Sequence, residues 1–339
     1  MVLAGDIGGT KTSVGLCERR RGSLRLVVVE SYPSRQYQSL EEILLEFRRS
    51  HRQRIDIACF GVAGPVRDGR VETTNLAWLV DAKVLAKKLG VGCVGLLNDL
   101  EASAWGIDAL QPEDFSPLKD GSGDPRSNAA VISAGTGLGE AGLYWDGKAR
   151  RPISSEGGHC GFAPRDAVQI QLLQYLSAEF GHVSTERVLS GPGLYNIYRF
   201  VRDVGKEEEP AWLAEEIRHG DPAATISRLA LDAKSPLCER ALSLFVEIYG
   251  SEAGNLALKF MATAGVYVAG GIAPKILSKL KAPLFKDAFL DKGRMRPLME
   301  TIPVQVVLND HLGLIGAARW TEVIGPVRGK PRRVSRRGR

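Results

Sequence analysis

Val94-Gly95-Leu96-Leu97-Asn98-Asp99-Leu100 is the stretch on which the reading of this chain turns. The apolar run before Asn98 predicts a short buried strand that delivers two polar side chains at its carboxyl end. Open α/β sheets bind ligands outside the carboxyl ends of their strands, so Asp99 is placed to act on a bound molecule. An Asn-Asp pair is just as readily a turn signal. What favours function is the set of glycine-rich segments on either side.

Towards the N-terminus, Asp81 to Leu89 reads as a helix with an acid at its favourable positive end. Thr73, Thr74 and Asn75 offer polar groups that could face a polyol. Ile55 to Val62 is an apolar strand closing in Gly61-Val62-Ala63-Gly64-Pro65, and Leu24 to Glu30 is another strand. Ser39 to Arg49 sets Leu40, Ile43, Leu44 and Phe47 at helical spacing. The chain begins with Val2-Leu3-Ala4, Gly5-Asp6-Ile7-Gly8-Gly9-Thr10-Lys11 and Thr12-Ser13-Val14-Gly15-Leu16, which read as strand, glycine turn, strand. Glycines there let backbone N–H groups approach an anion, although a plain tight hairpin would use them too. Neither a dinucleotide-binding fingerprint nor a Walker loop is present. Asp6 is the informative residue, because a carboxylate beside phosphate oxygens makes sense with a cation between them or with water oriented there.

Downstream, Glu101 to Leu110 is helix-like, and Gln111 to Ser127 is a polar stretch rich in Pro, Gly and Asp, read as a boundary loop. Ala129 to Ser133, then Ala134-Gly135-Thr136-Gly137-Leu138-Gly139, then Ala141 to Tyr144 repeat the pattern of strand, glycine turn, strand. Two such hairpins in successive domains could clasp a polyphosphate from both sides. Glu156-Gly157-Gly158-His159 presents Glu156 and His159 on exposed backbone. Glu-x-x-His is also half of a carboxylate-histidine metal site, but the glycines disfavour a helix, so hydroxyl recognition is preferred. Glu186 is read either as a ligand contact or as an ordinary surface acid. Val168 to Glu179, Ala211 to Ile217, Pro222 to Ala230 and Leu237 to Lys259 supply helices, and Glu207 to Glu209 a solvated run. Gly265 to Ala269 is a strand opening onto Gly270 and Gly271, where a flat ligand can lie against backbone or the chain simply bends. A strand at Val304 to Leu308 and a helix at Leu312 to Trp320 follow.

With 339 residues and 44% hydrophobic composition, the chain can bury a sizeable core and divides into two domains. Its net charge of +6 is a local matter. Seven basic residues and no acid lie between Arg328 and Arg339, so the remainder is nearly neutral. A solvated terminus is the expectation there, with nucleic-acid contact by this basic tail the weaker alternative. Cys17, Cys59, Cys93, Cys160 and Cys238 are dispersed and show no paired ligand spacing, which argues against a disulfide scaffold or a structural zinc. With no leader pattern and no apolar run long enough to span a bilayer, the expected location is cytoplasmic, with no membrane partner.

Taken together, GDIGGTK, FGVAGPV, TTNLAW, LLNDLEA, SAGTGLGEAGL, EGGHCGFAP, GHVSTERVLSGPGLYNIYR, GNLAL and VAGGIAPK resemble the bacterial-type glucokinase family, over Gly5 to about Trp320. That family belongs to the sugar kinase, Hsp70 and actin superfamily of ATPases. The resemblance implies a two-domain α/β fold with a ligand cleft between domains. It implies residues 1–110 as a smaller domain, 111–305 as a larger one, 306–325 as a C-terminal helix returning to the smaller domain, and 326–339 as a basic tail without a family counterpart. It implies ATP and Mg2+ as cofactors, glucose as substrate, and a homodimer.

Carried over residue by residue, Asp99 is the implied catalytic carboxylate, and Asn98, Glu156, His159 and Glu186 bind sugar hydroxyls. Asp6 with Gly8, Gly9 and Thr10 serves the phosphates, Asp6 as a magnesium ligand through water. Gly135, Thr136 and Gly137 form the second phosphate loop, and Gly270 and Gly271 lie near the adenosine. Related sugar kinases carry a cysteine-rich zinc motif after an EGGH-like segment; Cys160 stands alone here, so that zinc is not expected. A kinase for another hexose or an N-acetylhexosamine, polyphosphate as donor, and a non-catalytic sugar-responsive regulator are the alternatives. The strand at Val2 leaves no room for an N-terminal helix-turn-helix, which weighs against the last.

Overall fold

The computed structural model describes residues 1–20, 23–73, 76–205 and 208–324. Thr74, Asn75, Glu207 and the basic tail lie outside the described residues. Two compact units emerge: Met1–Ala109 with the chain from His311 onward, and Leu110–Asp310. Among the described residues, no helix is long and apolar enough to cross a membrane.

In the first unit, strands β1 (Val2–Ile7), β2 (Lys11–Arg20) and β3 (Ser23–Pro33) form an antiparallel meander. Helix α1 (Leu40–Ser50) leads to β4 (Ile57–Val62), which pairs parallel to β1. A small ribbon, β5 (Arg70–Glu72) and β6 (Leu79–Asp81), precedes α2 (Ala82–Leu89) and β7 (Val94–Asn98), and α3 (Asp99–Gly106) follows. The main sheet runs β3-β2-β1-β4-β7. All six residues of β4 are buried, as expected of a parallel strand covered on both faces.

Alternation along β1 assigns the two faces. Leu3 and Ile7 join the core that contains Leu40, Ile43, Leu44 and Phe47 of α1 and Leu85 of α2. Val2 and Ala4 join Ala102 of α3 and Leu314, Ala317 and Ala318 of the C-terminal helix, Leu312–Ile324. That helix approaches closely because glycines let it. A Cβ on Gly316 would lie 1.7 Å from the Ala102 carbonyl, and one on Gly95 would lie 2.2 Å from the Trp320 ring. Arg19 Nη2 donates to the Thr321 carbonyl at 2.6 Å and ties the helix to β2.

The second unit contains β8 (Phe115–Lys119), β9 (Ala129–Ala134), β10 (Leu138–Trp145) and β11 (Arg150–Ser154), then α4 (Ala167–Phe180), α5 (Gly191–Gly205), α6 (Ala211–His219), α7 (Pro222–Leu231) and α8 (Pro236–Phe260). Strands β12 (Gly265–Ala269) and β13 (Val304–Val307) complete a sheet ordered β11-β10-β9-β12-β13-β8. Its first five strands repeat the first unit's arrangement: two antiparallel pairings, then two parallel ones. The echo of glycine hairpins in the sequence is therefore an echo of topology.

Helix α8 is capped by Ser235, whose Oγ accepts the Cys238 N–H at 3.3 Å, and has Pro236 at its start. It is buried on most sides, which is why its apolar residues show no single stripe. Two elements differ from the sequence expectation. The boundary loop at 111–127 contains β8, an edge strand whose Pro117 sits opposite Gln305 beside an irregularity in register. Helix α5 opens on Gly191-Pro192-Gly193, a stretch for which the sequence predicts no helix.

Candidate active site

In the first unit the site residues gather at the carboxyl ends of β1 and β7. Asp6 lies on the same face of β1 as Val2 and Ala4, and the first turn of the C-terminal helix rests against it. A Cβ on Gly313 would sit 2.9 Å from the Asp6 carboxyl carbon. Burial, then the charge of Asp99, pushes the Asp6 carboxyl up to about 6, while Lys11 acts in the opposite direction.

Asn98 ends β7 and caps α3. Its Oδ1 accepts the N–H groups of Leu100 at 2.9 Å and Glu101 at 3.4 Å, and its Nδ2 donates to the Gly64 carbonyl at 3.3 Å. Asp99 thus occupies the first turn of a helix, where the dipole favours a carboxylate. The turn reading of this pair is realised as a helix cap, with Asp99 on the turn that Asn98 caps.

Directly after β1, the three-residue turn Gly8-Gly9-Thr10 closes with Gly8 N–H to Lys11 O at 3.1 Å. It is held from beneath by Ser34, which is fully buried. Ser34 Oγ donates to Gly8 O at 2.7 Å, lies 2.9 Å from Thr12 Oγ1, and Ser34 N–H donates to Thr10 O at 3.0 Å. Nothing local in the sequence marks Ser34, because its partners come from another strand.

In the second unit, Leu138 is the meeting point. Glu186 Oε2 accepts its N–H at 2.9 Å, and a Cβ on Gly158 would fall 2.1 Å from its carbonyl oxygen. The turn Gly157–His159 and the turn Thr185–Arg187 are joined by Thr185 N–H to Cys160 O at 2.8 Å and Phe162 N–H to Val183 O at 2.9 Å. The turn that carries Glu156 and His159 is thereby joined to the turn that carries Glu186, whose carboxylate lies against Gly137 and Leu138. Glu156 and His159 are exposed, their Oε2 and Nε2 3.8 Å apart.

The glycine loops divide by role. Gly270, at φ +87°, would clash with Ala134 O at 2.3 Å if it carried a Cβ, so it lets β9 and β12 lie close. A Cβ on Gly135 or Gly271 would meet nothing within 4 Å, so there the backbone is open to a ligand. Tyr249, buried on α8, links the two strand ends: its hydroxyl accepts Ala134 N–H at 3.3 Å and donates to Ala269 O at 3.4 Å. Gly191 N–H donates to Gly135 O at 2.8 Å, which brings the start of α5 to the same loop. Tyr249 was not marked by sequence; the start of α5 lies inside the GHVSTERVLSGPGLYNIYR motif, without a helix being expected there.

Hairpins of this kind with paired acids fit a phosphate-handling ATPase fold, and comparison decides the family. A family profile described as Glucokinase matches residues 3–323. The chain belongs to the glucokinase family. Glucokinase of Nostoc punctiforme is 42% identical over 333 residues, covering 94% of this chain and 98% of the relative. That of Yersinia pestis is 36% identical over 318 residues, covering 94% and 95%. Among solved structures, a glucokinase from an Antarctic psychrotroph aligns with TM-score 0.84 at 32% identity, covering 95% of this chain and 98% of that one.

More distant sugar kinases share the fold. So does a ROK family transcriptional regulator, at 16% identity and TM-score 0.67. Fold alone therefore does not separate kinase from regulator; the glucokinase-family match does. For a glucokinase-family chain, the donor set around Asp6 fits a hard divalent cation: oxygen ligands, two neighbouring acids, and a carboxyl whose ionised form is disfavoured until positive charge arrives.

Proposed function

We propose that this chain transfers the terminal phosphoryl group of ATP to the 6-hydroxyl of glucose, with Asp99 as the general base. The observation that carries the assignment is the placement of Asp99 on the first turn of α3, directly after the carboxyl end of the parallel edge strand β7, with Asn98 as the cap and Asp6 near enough for its charge to be felt. Phosphoryl transfer is mainly positioning and charge stabilisation. Asp99 orients the hydroxyl and takes its proton as the new P–O bond forms. The Gly8-Gly9-Thr10 and Gly135-Thr136-Gly137 loops bind phosphate oxygens through the N–H groups of Gly9, Thr10, Thr136 and Gly137, while those of Gly8 and Gly135 close the loops themselves. Gly271 offers open backbone to the adenosine, with Gly270 holding the strand ends together beneath.

Mg2+ would be held through water by Asp6 and would neutralise charge on the phosphates. Glu156, His159 and Glu186 bind sugar hydroxyls, and Asn98 contributes through its amide while capping α3. Support for the ligands comes from relatives: a ROK family glucokinase from Streptomyces griseus, of the same fold, was crystallised in complex with glucose and AMPPNP.

The test is Asp99→Asn. Turnover of glucose with ATP falls roughly 10²–10⁴-fold, while glucose binding measured by calorimetry is retained. Near-normal turnover would remove Asp99 from the role. The same coupled assay run across mannose, fructose and N-acetylglucosamine, with ATP and polyphosphate, sets the acceptor and donor preference.

A further inference from the structure

Behind the Glu156–His159 turn lies a pair of carboxyl groups that the reaction does not use. Glu140 on β10 is 1% exposed and Glu252 on α8 is 7% exposed. The Glu140 carboxyl occupies the room that a side chain at position 157 would need: a Cβ on Gly157 would be 2.3 Å from Glu140 Oε2 and 3.0 Å from its Cδ. The Glu140 backbone holds the same turn, its carbonyl accepting Ser155 Oγ at 2.7 Å, and Ser155 Oγ accepting the Gly157 N–H at 3.2 Å. Within the turn, His159 N–H donates to Glu156 O at 3.0 Å.

On its far side Glu140 meets Glu252. Lys259 Nζ lies 3.0 Å from Glu252 Oε1, and Asn255 Nδ2 donates to Glu252 Oε2 at 2.8 Å. Glu140 Oε1 is buried with no hydrogen-bond partner among the described residues. Lys259 acts on both buried acids and Lys292 adds a second cation near Glu252, so it is a charge on Glu140, buried beside the Glu252 carboxylate, that is costly. The arrangement is satisfied when Glu140 keeps its proton and donates it to Glu252. Burial, then the charge of Glu252, pushes the Glu140 carboxyl up to about 7, with Lys259 opposing. The other titratable and charged groups around the pair are Tyr249 on α8, Lys292 at Ser251, Arg165 with Glu247 and Asp291, and Cys160 and His159 at the turn.

We propose that Glu140, seated on Glu252, is the positioning residue of the Glu156–His159 turn and fixes where Glu156 and His159 meet a sugar. This rests on the reading of Glu156 and His159 as sugar-binding groups. When Glu140 is neutral, its carboxyl bridges Gly157 and Glu252. When it ionises, two carboxylates repel inside the pocket, and Gly157, packed directly on Glu140, is the element that yields. Glucose affinity therefore falls as pH rises.

The test compares the full-length enzyme with Glu140→Gln, Glu252→Gln and Glu140→Ala. In the wild type, glucose KM rises roughly tenfold between pH 6 and pH 8 as the competent fraction falls. Glu140→Gln, neutral at every pH and still able to donate to Glu252, keeps glucose KM nearly flat across that range. Glu252→Gln removes the second charge and also flattens the rise. Glu140→Ala raises glucose KM at both pH values. Amide-exchange protection factors of residues 157–159 provide a readout independent of turnover: they fall with pH in the wild type and not in Glu140→Gln. A rise in KM as steep in Glu140→Gln as in the wild type, or unchanged protection in Glu140→Ala, overturns the proposal. If Glu156→Ala and His159→Ala leave glucose KM unchanged, the sugar-binding reading fails instead, and the exchange data still report whether Glu140 positions the turn.

Discussion

Glu186 Oε2 accepts the backbone N–H of Leu138 at 2.9 Å, so an acid expected at the sugar also anchors the end of the second glycine loop. Its second oxygen and its charge are what remain for a hydroxyl. Glu186→Ala should raise the KM for both glucose and ATP, each by roughly 10–100-fold, as expected for loss of a hydrogen bond to a charged group. Glu186→Gln retains an acceptor for Leu138 and should affect glucose more than ATP. Initial-rate kinetics with each substrate varied in turn decide this; an ATP KM untouched in Glu186→Ala would show that the loop holds its shape unaided.

Asp6 trades stability for readiness to bind a cation. Its carboxyl sits at about 6 in the folded protein against an ordinary value of 3.8, so the native state holds a proton that the unfolded chain has released. Stability is full below 3.8 and is lost as pH rises through about 6. Without nucleotide or magnesium, Asp6→Asn should therefore be more stable than wild type at pH 7.5, by about 1–3 kcal/mol, and no more stable at pH 3.5. Urea midpoints at the two pH values measure it. Turnover should fall in the same variant, and a variant neither stabilised nor impaired would remove Asp6 from this role.

Ser34 supports the first glycine turn from inside the protein. Ser34→Ala removes the donor to Gly8 O and a partner of Thr12 Oγ1. A loss of about 1–2 kcal/mol is expected, together with a raised ATP KM and an unchanged glucose KM. Equal effects on both substrates would point to general loosening.

The C-terminal helix depends on an absent methyl group. A Cβ on Gly316 would lie 1.7 Å from Ala102 O, so Gly316→Ala forces α3 and this helix apart and should cost about 2–4 kcal/mol. Gly92→Ala, where a Cβ meets nothing within 4 Å, serves as the neutral comparison. Similar urea midpoints for the two would contradict the close packing.

Much of this was legible in the residues. The hairpins around Gly8 and Gly135, the buried strands and the amphipathic α1 follow from short-range pattern. Asn98-Asp99 was legible but ambiguous, since a helix cap and a strand end use the same residues. Strand β8 and helix α5 were hidden for local reasons. Pro117 lies in a stretch that reads as a loop, and Gly191-Pro192-Gly193 carries no helical pattern, so only pairing with β13 and packing on α7 and α8 establish these elements.

The sequence by itself determined the identities on offer: which turns lack side chains, where the acids stand along the strands, and which family the motifs resemble. Tertiary structure alone decided which of them support one another. Ser34 reaches Gly8, Tyr249 joins Ala134 to Ala269, Gly313 rests on Asp6, and Glu140 lies under Gly157. Each of these contacts joins residues distant along the chain, and no local periodicity encodes them. They arise when buried polar groups, which cannot stay unpaired, find their partners across a folded sheet.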